Sequence, residues 1–278
     1  MTDAAAPPPP DVVGRLRAAG CVFAEDEAQL IATQATTTRE LDALVARRVA
    51  GEPLEQVLGW ADFCGLRITM APGVFVPRRR TAFLVQQAVA AVTARTRIGA
   101  RTPAARPPVV VDLCCGAGAV GAAVAAALGE VELHAADVDP AAVRCARLNL
   151  AGVGQVYQGD LFAALPPSLR GSVDVLVANA PYVPTDAIRL MPPEARLHEP
   201  AVALDGGPDG LDLHRRIAAD APLWLAPGGH LLIETSRRQA PQTAEAFERS
   251  GLAPRVATSE ELGATVVVGT RSGSSSHP

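Results

Sequence analysis

The chain of 278 residues contains no lysine, so all 25 of its basic side chains are arginine. Set against 29 acidic residues, they leave a formal charge of −4 and an isoelectric point near 5.8. A generic polyanion binder is excluded by that balance. The missing lysine accompanies much alanine, 24 glycines and 24 prolines, and reflects biased coding composition rather than mechanism. No C-x-x-C pair exists among Cys21, Cys64, Cys114, Cys115 and Cys145, and no Cys/His cluster has metal-ligand spacing. Zinc is therefore not expected, and an odd cysteine count suits reduced thiols in a cytosol. Met1–Pro10 lacks the basic start and apolar stretch of a signal peptide. No charge-free, proline-free apolar run reaches the roughly 18 residues of a membrane span, so a cytoplasmic protein is expected. What is present is 49% hydrophobic and 19% charged sequence, enough for a packed core.

Five zones follow from composition and periodicity. Residues 1–10 are a Pro-rich lead-in expected to be disordered. Residues 11–58 carry apolar side chains at helical spacing: Val13 and Leu16, Leu30 and Ile31, then Leu41, Leu44 and Val45. Thr36–Thr38 supply N-cap candidates, and Gly51 and Pro53 end the pattern. Residues 59–108 hold a short hairpin expected about Ala71-Pro72-Gly73, a helix over Thr81–Thr93 and a linker over 98–108. Residues 109–271 alternate strand and helix. Strands are expected at Val109–Leu113, Val131–Asp137, Gln155–Gln158, Val173–Ala178, Gly229–Glu234 and Ala264–Thr270. That grammar implies an α/β domain with a parallel sheet covered on both faces and ligands at the carboxyl edge. Residues 272–278 read as a frayed tail, and no internal repeat is visible.

Val109–Leu113 runs into a glycine turn in which Gly116, Gly118 and Gly121 match G-x-G-x-x-G. Glycine lets backbone fold tightly and approach a ligand. Sixteen residues after Gly121 the second strand ends in Asp137, placed to accept ribose hydroxyls. Asp139, before Pro140, is the N-cap of the next helix. Asp160 follows the third strand and can accept an adenine amine while Leu161 or Phe162 covers the ring. A nicotinamide dinucleotide and S-adenosylmethionine both use this layout, and the glycines do not choose between them.

The fourth strand ends in Asn179-Ala180-Pro181-Tyr182. Asn179 offers a side-chain acceptor, and Pro181 biases Ala180 toward extended backbone. The Asn179 oxygen and the Ala180 carbonyl can together accept both hydrogens of one planar NH₂, while the Tyr182 ring lies against its plane. Such a receptor suits an amide or an aromatic amine. Two acceptors orient a nitrogen whose lone pair is otherwise delocalised, and a ring face steadies a neighbouring sulfonium by about 0.5–2 kcal/mol.

This segment resembles the N-P-P-Y signature of amino-group methyltransferases. Glu52-Pro53-Leu54, Leu58-Gly59, Phe63, Gly65-Leu66 and Gly73-Val74-Phe75-Val76-Pro77-Arg78 resemble the linker region of protein-(glutamine-N5) methyltransferases. His198-Glu199-Pro200, Ala203-Leu204, Gly206-Gly207, Gly210-Leu211 and Leu232-Ile233-Glu234 extend the likeness across about residues 12–271. The resemblance implies a helical N-terminal substrate-recognition domain, a hairpin and a seven-stranded Rossmann-like S-adenosylmethionine domain. It implies that Asn179, Ala180, Pro181 and Tyr182 hold a glutamine amide of a protein substrate, a peptide-chain release factor or a ribosomal protein. It assigns Asp112, Gly116, Gly118, Asp137, Asp160, Leu161, Phe162 and Asn179 to the cofactor, with Pro77 and Arg78 beside it.

Three departures stand out. Ala180 replaces the first proline of N-P-P-Y, keeping the carbonyl but loosening the backbone. Cys114 stands where the family has glycine. The family's acidic P-E-T-E is Arg79-Arg80-Thr81-Ala82 here, which points to a paralogue with a different protein substrate; Arg79 and Arg80 themselves read as a solvated helix start. Glu199 reads as capping or pairing within its loop, and His198, His214 and His230 as structural or exposed. Alternatives are N6-adenine methylation of nucleic acid, a dinucleotide-dependent oxidoreductase and a cofactor-binding module without activity. The negative charge and the lack of a basic stripe oppose direct nucleic-acid binding.

Overall fold

The computed structural model describes residues 9–98 and 106–273. Most of the expected lead-in and linker, and the end of the tail, lie outside the described residues. Four helices open the chain: α1 (Pro10–Ala18), α2 (Ala24–Gln34), α3 (Thr38–Val49) and α4 (Leu54–Leu58). The Thr37 side chain accepts the Glu40 N–H at 3.2 Å, while Glu40 reaches back to the Thr36 N–H at 2.8 Å, a reciprocal cap that fixes where α3 starts. Val12, Leu16, Ala28, Ile31, Val45 and Leu58 form the core of this bundle. Arg48 joins it to the rest: Nε donates to Glu27 at 2.6 Å and Nη1 lies 3.4 Å from Glu194.

The hairpin consists of β1 (Trp60–Phe63) and β2 (Leu66–Thr69), paired antiparallel. Its turn is Cys64-Gly65, both at positive φ, and not Ala71-Pro72-Gly73 as the sequence suggested. A two-residue turn with two left-handed residues matches the twist of paired strands, and Gly65 makes that geometry accessible. Helix α5 (Ala82–Ile98) follows a 3₁₀ turn over Arg79–Thr81.

The main sheet takes β3 (Val109–Leu113), β4 (Glu132–Asp137), β5 (Gly154–Gln158), β6 (Val173–Ala178), β7 (Leu225–Thr235), β8 (Leu252–Ser259) and β9 (Ala264–Arg271). Helices α6 (Ala119–Leu128), α7 (Pro140–Asn149), α8 (Pro193–His198), α9 (Asp212–Trp224) and α10 (Ala240–Arg249) come between them. Strand order is β5-β4-β3-β6-β7-β9-β8. The sheet is not wholly parallel, because β9 runs antiparallel to both β7 and β8. Strand β8 escaped the sequence reading. It is an edge strand with alternating exposure and a proline, Pro254, so it lacks the continuous apolar run that betrays a central strand.

Every residue of β3 and β6 is buried, and two apolar clusters cover the two faces. The chain leaves β3 for β4 on one side and later returns to β6 on the other. That reversal opens a crevice at the carboxyl ends of β3 and β6, where the glycine turn and Asn179 meet. One further contact ties the hairpin to this edge. Asn149, at the end of α7, accepts the Thr69 N–H at 2.8 Å and donates to the Thr69 carbonyl at 2.9 Å and the Ala117 carbonyl at 2.8 Å. Among the described residues no helix is long and apolar enough to cross a membrane.

Candidate active site

A cavity of about 260 Å³ fills the crevice. Phe75, Pro77 and Thr81 wall it from the hairpin side, the glycine turn, Asp137 and Leu161 from the sheet edge, and Pro200, Val202 and Ala203 from the loop after β6. Asn179 and Pro181 face into it.

Asp112 lies beneath the glycine turn, 1% exposed, and its Oδ2 accepts the Gly121 N–H at 2.9 Å. A Cβ at residue 121 would stand 3.2 Å from that oxygen, which is why glycine begins this helix contact. Burial pushes the Asp112 carboxyl up to about 7, the Gly121 N–H opposes the shift, and the Asp137 charge adds to it. Gly118 sits at φ +77°, and Leu150 would crowd any side chain there at 3.1 Å. Cys114 adopts φ +55° without glycine's freedom.

Asp137 accepts the Gly116 N–H through Oδ2 at 2.8 Å and the Asp139 N–H through Oδ1 at 2.9 Å. Burial raises its pKa, and these N–H groups moderate the rise. Each oxygen keeps capacity for another donor. Asp139 caps α7 through the Ala141 N–H at 2.8 Å. Asp160 is exposed at the cavity edge and pairs with Arg216 at 2.6 Å through Oδ2, which leaves Oδ1 as an acceptor. Leu161 lines the cavity at φ +47°, whereas Phe162 turns away and stacks on Trp224 with 5.4 Å between ring centres. Of the two candidate ring covers, only Leu161 is in place.

The Asn179 Nδ2 points at the Thr81 hydroxyl, 3.5 Å away. Among the described residues, nothing donates to Asn179 Oδ1 or to the Ala180 carbonyl. Two acceptors without donors thus follow β6, one on Asn179 at the cavity wall and one on the next peptide. Ala180 itself is 1% exposed, and buried packing restrains the backbone that the missing proline would have stiffened.

Tyr182 does not lie against the cavity as the sequence suggested. Its ring tilts toward fully buried His214 with centres 6.3 Å apart, and its hydroxyl donates to Glu234 Oε1 at 3.4 Å. Burial and the Glu234 charge push the phenol up to about 12. Gly206 and Gly210 leave room for this course, since a Cβ on Gly210 would overlap the Tyr182 carbonyl.

Pro77 lines the cavity, but Arg78 points elsewhere: it donates to Glu199 Oε1 at 2.5 Å and lies 4.9 Å from the Phe75 ring. Glu199 is fully buried, also accepts the Val76 N–H at 3.3 Å, and has its carboxyl raised by burial against the pull of Arg78. Arg80 is exposed at the helix start, as the sequence suggested, but it is also paired. Its Nε donates to buried Glu234 at 3.1 Å, a partner 154 residues away that no local pattern reveals. Arg79 is exposed as expected. Thr81, Pro200 and Arg216 are wall residues that sequence reasoning gave no role. Thr81 and Pro200 stood in quoted motifs, while nothing in the sequence marked Arg216.

The sheet order, the glycine turn and the acidic end of β4 define a Rossmann-like, S-adenosylmethionine-dependent methyltransferase. A family model described as "Methyltransferase small domain" matches residues 100–207. A methyltransferase structure from Pyrococcus furiosus shares the fold, with TM-score 0.53 at 16% identity over 82% of this chain and 97% of that one. The chain is 35% identical over 233 residues to a release factor glutamine methyltransferase of Geobacter sulfurreducens, covering 83% of this chain and 77% of the relative. It is 38% identical over 208 residues to the 4-amino-L-phenylalanine/4-methylamino-L-phenylalanine methyltransferase of Streptomyces pristinaespiralis, covering 74% and 69%. The chain belongs to the release factor glutamine methyltransferase family.

Proposed function

We propose that the chain methylates the side-chain amide nitrogen of a glutamine in a protein substrate, with a peptide-chain release factor as the first to test. The observation that carries this reading is a pair of acceptors with no donor among the described residues: Asn179 Oδ1, whose residue lines the cavity beside the glycine turn, and the Ala180 carbonyl one peptide on.

The cavity suits S-adenosylmethionine by the chemistry of its walls. Positive-φ glycines expose backbone, Asp137 keeps acceptor capacity for hydroxyls, and Asp112 and Asp137 offer negative charge to a cation. The bound cofactor supplies an electrophilic methyl group on a positively charged sulfur. The two acceptors grip the two hydrogens of the amide NH₂ and turn its lone pair toward that methyl. The glycine turn and Asp137 would hold the methyl donor so that its methyl could pass to this nitrogen, which would then give a proton to water. Alignment of reacting atoms is where a site of this kind gains rate.

A second reading rests on the Streptomyces pristinaespiralis relative, whose named substrate carries an aromatic amine. An arylamine presents the same planar NH₂ to the same two acceptors. Radiolabelled S-adenosylmethionine should be offered with a release factor, a glutamine peptide, 4-aminophenylalanine and DNA. Label on glutamine supports the first reading and label on the arylamine the second; label on DNA alone overturns both.

A further inference from the structure

Glu234 stands at the end of β7, and β7 pairs with β6 so that Ile233 registers against Ala178. Its carboxylate therefore meets the first residues after β6. It is 1% exposed. Oε1 accepts the Arg80 Nε–H at 3.1 Å and the Tyr182 hydroxyl at 3.4 Å, and Oε2 has no partner among the described residues. Arg80 immediately precedes Thr81, which is 1% exposed and receives the Asn179 Nδ2. Tyr182 follows Asn179 by three residues. The contacts close a ring that runs from Glu234 through Arg80, Thr81, Asn179 and Tyr182 back to Glu234.

We propose that Glu234 and Arg80 are positioning residues: together they set the gap between the turn carrying Thr81 and the loop carrying Asn179 and Ala180, and so aim the two acceptor oxygens. This rests on the amide-clamp reading above. A carboxylate held out of water is costly once its cation leaves, so the Arg80 turn cannot swing outward without stranding Glu234. Arg80 keeps 46% of its side chain in solvent, so it gains little from the pair alone. What the pair fixes is geometry, and small misplacements of reacting groups are expensive in rate.

The test uses the full chain and a glutamine peptide that the wild type labels. Arg80→Met removes the cation from the solvent side, Glu234→Gln removes the charge without stranding one, and Arg80→Lys keeps charge at the turn. We expect Arg80→Met and Glu234→Gln each to lower kcat about tenfold or more. Cofactor Kd should stay within about twofold, the double variant should be no worse than either single, and Arg80→Lys should recover part of the loss. In 3-fluorotyrosine protein carrying Tyr157→Phe, the remaining ¹⁹F resonance, from Tyr182, should move in both single variants. Unchanged kcat, fully additive losses, or cofactor affinity falling in parallel with kcat would each overturn the proposal. If the wild type labels 4-aminophenylalanine and not the peptide, the glutamine reading fails alone, and the same variants are scored on the arylamine with the same expectations.

Discussion

Replacing Arg78 with methionine removes the cation beside a carboxylate that has nowhere else to turn. Glu199 is fully buried, its Oε1 is held by Arg78 and the Val76 N–H, and its Oε2 has no partner among the described residues. Breaking a buried pair from one side costs about 3–5 kcal/mol. Arg78 is 34% exposed, so part of the attraction is already screened, and about 2–3 kcal/mol is the better expectation. At about 2–4 °C per kcal/mol for a chain approaching this size, Tm should fall by roughly 4–12 °C at pH 8. The pH dependence carries the sharper test. Burial already raises the Glu199 pKa in the folded protein, and removing Arg78 removes the influence that lowers it. A carboxyl raised by folding contributes stability at low pH that is lost as pH rises through its folded value. The Tm gap between variant and wild type should therefore narrow from pH 8 to pH 5.5. Adding Glu199→Gln should close much of it at pH 8, because no charge is left stranded. Differential scanning fluorimetry at the two pH values is sufficient. A gap independent of pH and untouched by Glu199→Gln would refute the reasoning and reduce Arg78 to a packing residue beside Phe75.

Asn179→Ala should lower kcat by about 100-fold or more with cofactor Kd changed less than about twofold, measured by single-turnover transfer and calorimetry; persistent transfer would remove Asn179 from the clamp. Cofactor affinity should rise from pH 6 to pH 8 by up to about tenfold, because the Asp112 carboxyl titrates near 7 and only its ionised form attracts a sulfonium. Asp112→Asn should flatten that profile, and a profile unchanged by the substitution would place the titration elsewhere. Cys114→Gly should leave cofactor binding intact and change stability by no more than about 1 kcal/mol, since relief of left-handed strain offsets the freedom glycine adds to the unfolded chain. A chemical-denaturation loss well beyond that would show the thiol to be a packing element.

The main sheet was legible where physics acts locally. β3 and β6 are buried on both faces, so they read as continuous apolar runs, and the polar residues that end them stand out against that background. Asn179, Asp137 and the glycine turn are therefore assigned to one edge by the sequence alone. What failed depends on contacts between distant residues. Tyr182 looked like a lid for the target because its partner His214 lies 32 residues on and Glu234 lies 52 residues on. Arg80 is the exposed charge expected, but its pairing with Glu234 went unseen because that partner is 154 residues away. Phe162 was offered as a cover for adenine, yet Trp224 on α9 claims its ring, and the Arg216 partner of Asp160 on the same helix went unseen. The hairpin turn was missed for a different reason: Cys64 at positive φ disguised a two-residue turn that Asn-Gly would have announced.

Asn149 joins two regions that chain order keeps apart. One carboxamide binds the Thr69 peptide of the hairpin on both sides and the Ala117 carbonyl in the glycine turn. The hairpin and the cofactor loop thus share a single constraint. Binding free energies coupled through a shared element are reciprocal. A ligand that stiffens the glycine turn lowers the ordering entropy left for a partner on the hairpin, and a partner on the hairpin does the same for the ligand. Coupling between a ligand at the turn and a partner at the hairpin would need no movement of the backbone, only the loss of the same vibrational freedom once instead of twice.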